Sequence, residues 1–494
     1  MSHNLYALFR ARFAARLQAP CFLGADGAVF SFAALDDLSA RFAALLRARG
    51  ARPGERVLVQ AEKSIGAVAL YLACLRVGAV YTPLNPAYTD AEVDYFISDC
   101  EPVLAVLARP RETKAPAVEC LGTDEASPFW RAALAADPDH ALADRASDDI
   151  AAILYTSGTT GRSKGAMLSI GNLASNALTL HELWGFRPDD ILIHALPIFH
   201  VHGLFVALHC QLLNATPAIF LAKFDAAEIR ALLPRATMLM GVPTFYTRLL
   251  SLPGFGRADC ASMRLFISGS APLLAETHRE FEARTGHRIL ERYGMTEAGM
   301  ITSNPLDGER IPGTVGYPLP GVSIRSVDEA GRTVPAGEPG VIEIAGPNVF
   351  QGYWRMPEKT ASEFRDGFFV TGDVGTIAED GRVAIVGRAK DLIISGGFNI
   401  YPKEIEDVLD ACDGVSESAV IGVPHPDFGE AVVALVVKRP NASPRMQSLE
   451  SAVAEKLARF KHPRAILILE DLPRNAMGKV QKNVLRETYR DILK

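Results

Sequence analysis

A chain of 494 residues is too long for one hydrophobic core of ordinary size, so two or more domains are expected. With 49% hydrophobic and 22% charged residues it has a globular balance, and a net charge of −6 removes the electrostatic reason to expect nucleic acid or an anionic membrane as partner. The seven cysteines (21, 74, 100, 120, 210, 260 and 412) are scattered and lack metal-ligand spacing, which fits reduced thiols and a cytoplasmic location.

Residues 5–17, LYALFRARFAARL, are basic and acid-free, as an import leader would be. Strand and helix patterns begin again by residue 21, so a structural first helix is expected. Leu35, Leu38, Phe42 and Leu45 mark one helical face that ends near Gly50. RVLVQ (56–60), AVYTPL (79–84) and VLAVLA (103–108) read as strands with helices between them. The rhythm continues through AAILYTSG, ILIHAL, PAIFLA, ATMLMGV and MRLFISG. Such alternation predicts an α/β fold with parallel sheets flanked by helices. Residues 191–222 lack Asp, Glu, Lys and Arg, but histidines and prolines interrupt them. No apolar run there reaches the roughly 20 residues of a membrane span, so the stretch reads as strand, buried helix and strand.

From about 313 to 388 the β runs VSIRSV, GVIEIAG, DGFFVTGD and GRVAIVGR predict a smaller antiparallel β subdomain. After Lys390, the helix PKEIEDVLDAC, further strands, a helix ESAVAEKLARF and a basic tail predict a small α+β domain. The expected division is an N-terminal domain, 1–389, and a mobile C-terminal domain, 390–494.

TSGTTGRSKG (156–165) directly follows the strand AAILY. Its hydroxyls, glycines and Lys164 suit phosphate oxygens, although a Walker A pattern cannot be aligned on it. This loop, RYGMTE, TGD (371–373), GRAKDLIISGGFNIYPKEIE (387–406) and PRNAMGK (473–479) stand in the order of the adenylate-forming superfamily. Over nearly its whole length the chain resembles acyl- and aryl-CoA synthetases, luciferases and peptide-synthetase adenylation domains. It departs at Ser163, where many relatives have Pro.

The resemblance implies ATP and CoA as co-substrates and Mg2+ as cofactor. Thr156, Ser157, Gly158, Thr159, Thr160, Gly161 and Lys164 would hold the phosphates, with Thr160 and Glu297 on the magnesium. Tyr293 would stack on adenine opposite Gly269, Ser270 and Ala271, with Glu291, Gly294, Met295 and Thr296 completing the ATP site. Asp373 would accept from the ribose hydroxyls and Arg388 would reach the same sugar. Lys479 is the expected catalytic cation of adenylation, and a lysine acetyltransferase–deacetylase pair acting on it would switch that half-reaction off. Lys390 falls at the hinge, and Gly396 and Gly397 resemble the wall of the pantetheine tunnel.

IFHVHG (198–203) supplies His200, which resembles a gating residue beside the acyl pocket, with Val201 and His202 after it. Metal binding by this histidine pair lacks a third ligand. In relatives taking aromatic or fatty acids the residue before the tyrosine of YGMTE is small; here it is Arg292. A guanidinium there suits a second substrate carboxylate, so a short dicarboxylic acid is expected. ERYGMTE, HVHG and GVPTFYTR resemble the malonyl-CoA synthetases. Ser268, Met300 and Val201 would limit the pocket, leaving malonate as the best fit and methylmalonate as the next. Arg248 is a second candidate for the distal carboxylate.

The rivals are a ligase for a short or aromatic monocarboxylic acid, an amino-acid-activating domain and a silent nucleotide binder. Arg292 opposes the first. The second lacks an acid in 191–222 for a substrate ammonium, and intact Lys479 and Glu297 oppose the third.

Overall fold

The structure, a computed structural model, describes residues 3–156, 163–395, 398–440 and 442–493. The first helix, Leu5–Phe13, buries Leu5, Tyr6, Phe9 and Phe13, and the Asn4 side chain accepts from the Tyr6 and Ala7 N–H groups at its start. It packs beside the helices Phe32–Ala48 and Ile65–Val77. Helix Ile65–Val77 carries apolar side chains all round because it is buried on every side. Its one charge, Arg76, is 2% exposed and donates to Tyr6 Oη (2.7 Å), Ser39 Oγ (3.0 Å) and the Asp36 carboxylate. Three helices are thereby joined through one satisfied cation.

Among the described residues the first large sheet runs in the order Val118–Cys120, Leu104–Leu107, Arg56–Gln60, Val80–Pro83, Ile150–Thr156, Lys164–Ser169. It is parallel except for its last pair. A second, nine-stranded sheet has a parallel centre, Pro20–Leu23, Ala218–Phe220, Leu192–His194, Met238–Gly241, Leu265–Ser268 and Leu290–Met295, with antiparallel strands at both edges. The uncharged stretch 191–222 spans strand, helix and strand at the middle of this sheet. Its helix begins unexpectedly as a π-helical turn, His202–Leu208, before continuing as His209–Asn214. Among the described residues no helix is long and apolar enough to cross a membrane.

The Gly-rich region forms an antiparallel five-stranded sheet, Ser323–Val327, Gly340–Ala345, Phe364–Arg365, Phe368–Ile377 and Val383–Arg388. A single helical turn, Ala389–Asp391, then leads into a last sheet with its own core, covered by Pro402–Asp410 and Met446–Lys456 on one face and Lys482–Thr488 on the other. Removing one member of a buried ion pair strands its partner, so Asp36→Ala should destabilise the protein by about 3–5 kcal/mol. Urea unfolding checks this; a loss below about 1 kcal/mol, the range of exposed pairs, would mean that Tyr6 and Ser39 suffice for Arg76.

Candidate functional site

Strand Leu290–Met295 pairs in parallel with Leu265–Ser268, with Ser268 opposite Glu291. The pleat therefore puts Ser268 and Glu291 on one face, and Arg292 with Gly269 on the other. The contacts agree: a Cβ built on Gly269 would stand 2.4 Å from Arg292 Cζ, so the guanidinium lies directly on glycine backbone. Arg292 is 2% exposed, and neither its Nε nor its Nη2 has a hydrogen-bond partner. Among the described residues no ion pair includes it. Burial lowers its pKa to about 9.

His200 and His202 stand near Arg292, and Val201 between them is buried. Burial, and then the Arg292 charge, push the His200 imidazole down to about 4 and hold His202 well below its ordinary range. Both rings are neutral at pH 7. His202 Nδ1 lies 3.2 Å from Ser270 Oγ, while its Nε2 is buried without a partner. Ser270 holds the left-handed conformation (φ 73°) that L side chains rarely adopt, a form of strain concentrated at functional sites. Met300 is buried and faces Gly294 across the hairpin, its backbone fixed by Asn176 and Asn348.

A second group of side chains lies along the adjoining strands. Asp373 and Arg388 are direct cross-strand partners, joined by a 2.8 Å ion pair, and Tyr293 Oη donates to the Asp373 carboxylate. Thr156 pairs with Lys164 where the antiparallel strands Ile150–Thr156 and Lys164–Ser169 meet the segment expected to hold phosphates. Tyr95 Oη donates to Ser163 O (2.9 Å) and Tyr155 Oη to Asp99, so one helix, Asp90–Cys100, braces both ends. Ser157, Gly158, Thr159, Thr160 and Gly161 lie outside the described residues, as do Gly396 and Gly397. Glu297 is buried, which raises its carboxyl pKa, and its Oε1 accepts from Tyr353 Oη (3.1 Å). A carboxylate with one oxygen so held suits a hard cation shared with phosphate oxygens. Among the described residues no three His, Cys, Asp or Glu side chains cluster as a metal site of their own.

Lys479 comes from the opposite direction. Asn475 Oδ1 accepts from the Met477 and Lys479 N–H groups (both 3.0 Å), making a tight turn. Met477 enters the large N-terminal core. A Cβ on Gly478 (φ 72°) would come 3.1 Å from Thr244 Oγ1. The turn thus delivers Lys479 beside Arg388, Asp373 and Asp391. Burial, followed by the Arg388 charge, lowers its pKa to about 8.

Two of the expected site residues lie on the opposite face of the sheet. Ser268 is fully buried on the face away from Arg292, because strand pairing places it beside Glu291. Glu291 turns inward as well: its Oε1 accepts from Leu273 N (3.1 Å), and burial raises its pKa to about 8. Arg248 is exposed, one helical turn beyond Thr244 and on the same face. Ala271, Met295 and Thr296 are half-buried beside their motif neighbours, and Lys390 is exposed in the linking turn. Sequence reasoning missed Tyr353 and gave no role to Thr371 of the TGD motif, whose carbonyl accepts from Arg388 and whose hydroxyl accepts from Asp373 N. No local signal marked Tyr353.

The chain matches the AMP-binding enzyme family over residues 9–354 and the AMP-binding enzyme C-terminal domain over 404–479. A feruloyl-CoA synthase from Streptomyces is 34% identical over 479 residues, covering 94% of each chain. A malonate–CoA ligase from Arabidopsis thaliana is 34% identical over 483 residues, covering 89% of this chain and 79% of its own. MatB from Rhodopseudomonas palustris is 55% identical over the whole of both chains, with a TM-score of 0.95 for the ATP-bound structure and 0.85 for the apo structure.

Gly269→Ala should dislodge the Arg292 guanidinium and destabilise the protein by the about 1–3 kcal/mol typical of overpacking. A crystal structure and melting curve of the variant check this; an unmoved Arg292 would mean that the backbone yields instead.

Proposed function

The chain belongs to the AMP-binding enzyme family, and on that premise we propose that it is an AMP-forming acid–CoA ligase whose acid is malonate. The observation that carries the acid is Arg292, a buried cation with two unpartnered nitrogens and, among the described residues, no carboxylate paired to it. One carboxylate of malonate must react; the other supplies the missing anion in a bidentate pair. Neutral His200 and His202 add polar ring atoms without competing for the carboxylate. Arg248, on the helix face that meets the Lys479 turn, is a second cation for that end. Val201 and Met300 bound the pocket around the middle carbon, with methylmalonate as the next acceptable acid. The feruloyl-CoA synthase likeness favours an aromatic monocarboxylate instead, but such an acid leaves the Arg292 charge uncompensated.

In the first half-reaction a malonate oxygen attacks the α-phosphorus of ATP, the bond to the β-phosphate oxygen breaks, and diphosphate leaves. Thr156, Lys164 and the loop between them hold the departing phosphates. Lys479 brings an ammonium to the oxygens on which charge accumulates. Asp373, paired with Arg388, accepts from the ribose hydroxyls, and Tyr293 with Gly269–Ala271 frames the adenine. Glu297 and Thr160 would hold Mg2+, which would supply positive charge to the phosphoryl oxygens.

In the second half the CoA sulfur attacks the malonyl carbonyl, its proton is lost, and AMP leaves as malonyl-CoA forms. For this the C-terminal domain turns about Lys390, removing Lys479 and bringing Gly396 and Gly397 to the thiol. The higher similarity to ATP-bound than to apo MatB supports reading the present arrangement as the adenylating one. The half-buried Lys479 is then a poor target for an acetyltransferase. Free thiols keep a cytoplasmic location within this proposal.

AMP formation with ATP, Mg2+ and CoA should prefer malonate over methylmalonate, acetate, succinate and benzoate. Arg292→Ala should cost about 3–5 kcal/mol of malonate-dependent kcat/KM, hundreds-fold or more, while calorimetry still detects ATP binding. Unchanged malonate kinetics would reject the assignment. Because Lys479 must be protonated to act, kcat/KM for ATP should decline as pH rises through about 8. The anions in the ternary complex should move that limb higher in kcat; identical limbs in both profiles would place the titration elsewhere.

A further inference from the structure

Segment 351–354 runs as an added strand along Lys164–Ser169. Gln351 N donates to Met167 O (2.9 Å), Met167 N to Gly352 O (2.9 Å), and Trp354 N to Gly165 O (2.7 Å). One residue earlier, Phe350 N donates to Glu297 O (2.8 Å). The backbone therefore pins Tyr353 between the strand that starts with Lys164 and the turn that carries Glu297. Thr360 Oγ1 accepts from Tyr353 N (2.9 Å), and the Phe350 ring packs edge-on at 4.8 Å. The tyrosine is 3% exposed.

Both ends of this side chain are in use. Its hydroxyl donates to Glu297 Oε1 at 3.1 Å, and Lys164 Nζ stands 4.1 Å from its ring centroid. Lys164 also lies 3.5 Å from Glu363 Oε1, a carboxylate already paired with Lys359. That shared acid holds the ammonium loosely, whereas the ring face fixes where it rests.

We propose that Tyr353 is a positioning residue for the adenylation half-reaction. Its hydroxyl ties down one oxygen of Glu297 so that the other faces the magnesium–triphosphate, and its ring holds Lys164 against the same phosphates. This rests on the reading that Glu297 and Lys164 meet the metal–nucleotide. When ATP enters, its phosphates replace Glu363 as the anion for Lys164, and Tyr353 keeps both groups aligned through the exchange.

The test uses Mn2+ as a spin probe for the metal, titrated against the full-length enzyme with ATP and read by electron paramagnetic resonance. Tyr353→Phe should weaken Mn2+ binding about tenfold, the size of one lost hydrogen bond to a charged group, with the KM for malonate and the melting temperature unchanged. Tyr353→Leu should lower ATP affinity a further few-fold through loss of the ring face. If the hydroxyl acts through Glu297, the double variant Y353F/E297Q should bind Mn2+ no more weakly than E297Q. Additive losses in the double variant would overturn the proposal, because a merely structural tyrosine would act independently. Wild-type Mn2+ affinity in Y353F with weakened binding in E297Q would also overturn it, leaving the reading of Glu297 intact. Wild-type affinity in E297Q would remove Glu297 from the metal site and the proposal with it.

Discussion

A guanidinium withdrawn from water with no carboxylate beside it is the constraint on which the acid site depends. Desolvating a charge costs several kcal/mol unless an opposite charge and hydrogen bonds offset it. Among the described residues Arg292 has burial without that offset, so on the proposed reading the pocket is complete only when an anion enters. The surroundings keep the cost from being relieved in other ways. Gly269 leaves room for the planar group to lie on backbone, and His200 and His202 remain neutral. A site built this way discriminates steeply, since an acid lacking the second carboxylate leaves buried donors unpaired.

The nucleotide side relies on a different device. Asp373 faces Arg388, and Thr156 faces Lys164, because antiparallel register puts each pair side by side. Groups placed by ladder hydrogen bonds need little reorganisation when phosphate or ribose arrives. Ser270, held at positive φ beside His202, joins the acyl pocket to this rigid frame.

Lys479 is placed by weaker means. Met477 enters the core, Gly478 lies against Thr244, and Arg439 pairs with Glu276 at the surface. Exposed ion pairs contribute little and a single apolar contact is modest, so this seating is cheap to break. The proposed catalytic cation is thus carried on a weakly seated segment, which suits a group required in only one of two steps.

Much of the fold was legible from periodicity. Alternating strands and helices, the antiparallel character of 313–388, and the separate sheet after Lys390 all follow from which residues are apolar and where glycines interrupt them. The five ordered motifs likewise marked the strands that carry Tyr293, Asp373 and Arg388, and Arg292 stood out because a charge had replaced a small residue. Other features were not legible. Ser268 was expected beside Arg292 but lies on the opposite face, a consequence of pairing with a strand more than twenty residues away. The helix after His200 begins as a π-helical turn, which its composition does not announce. Tyr353 reaches Lys164 and Glu297 only because segment 351–354 returns to a strand nearly two hundred residues earlier. Element type and motif identity are properties of contiguous residues, and the sequence determined them by itself. Which side chains meet, and which charges lose their water, depend on strand register and packing between distant segments, and these only the tertiary structure decided.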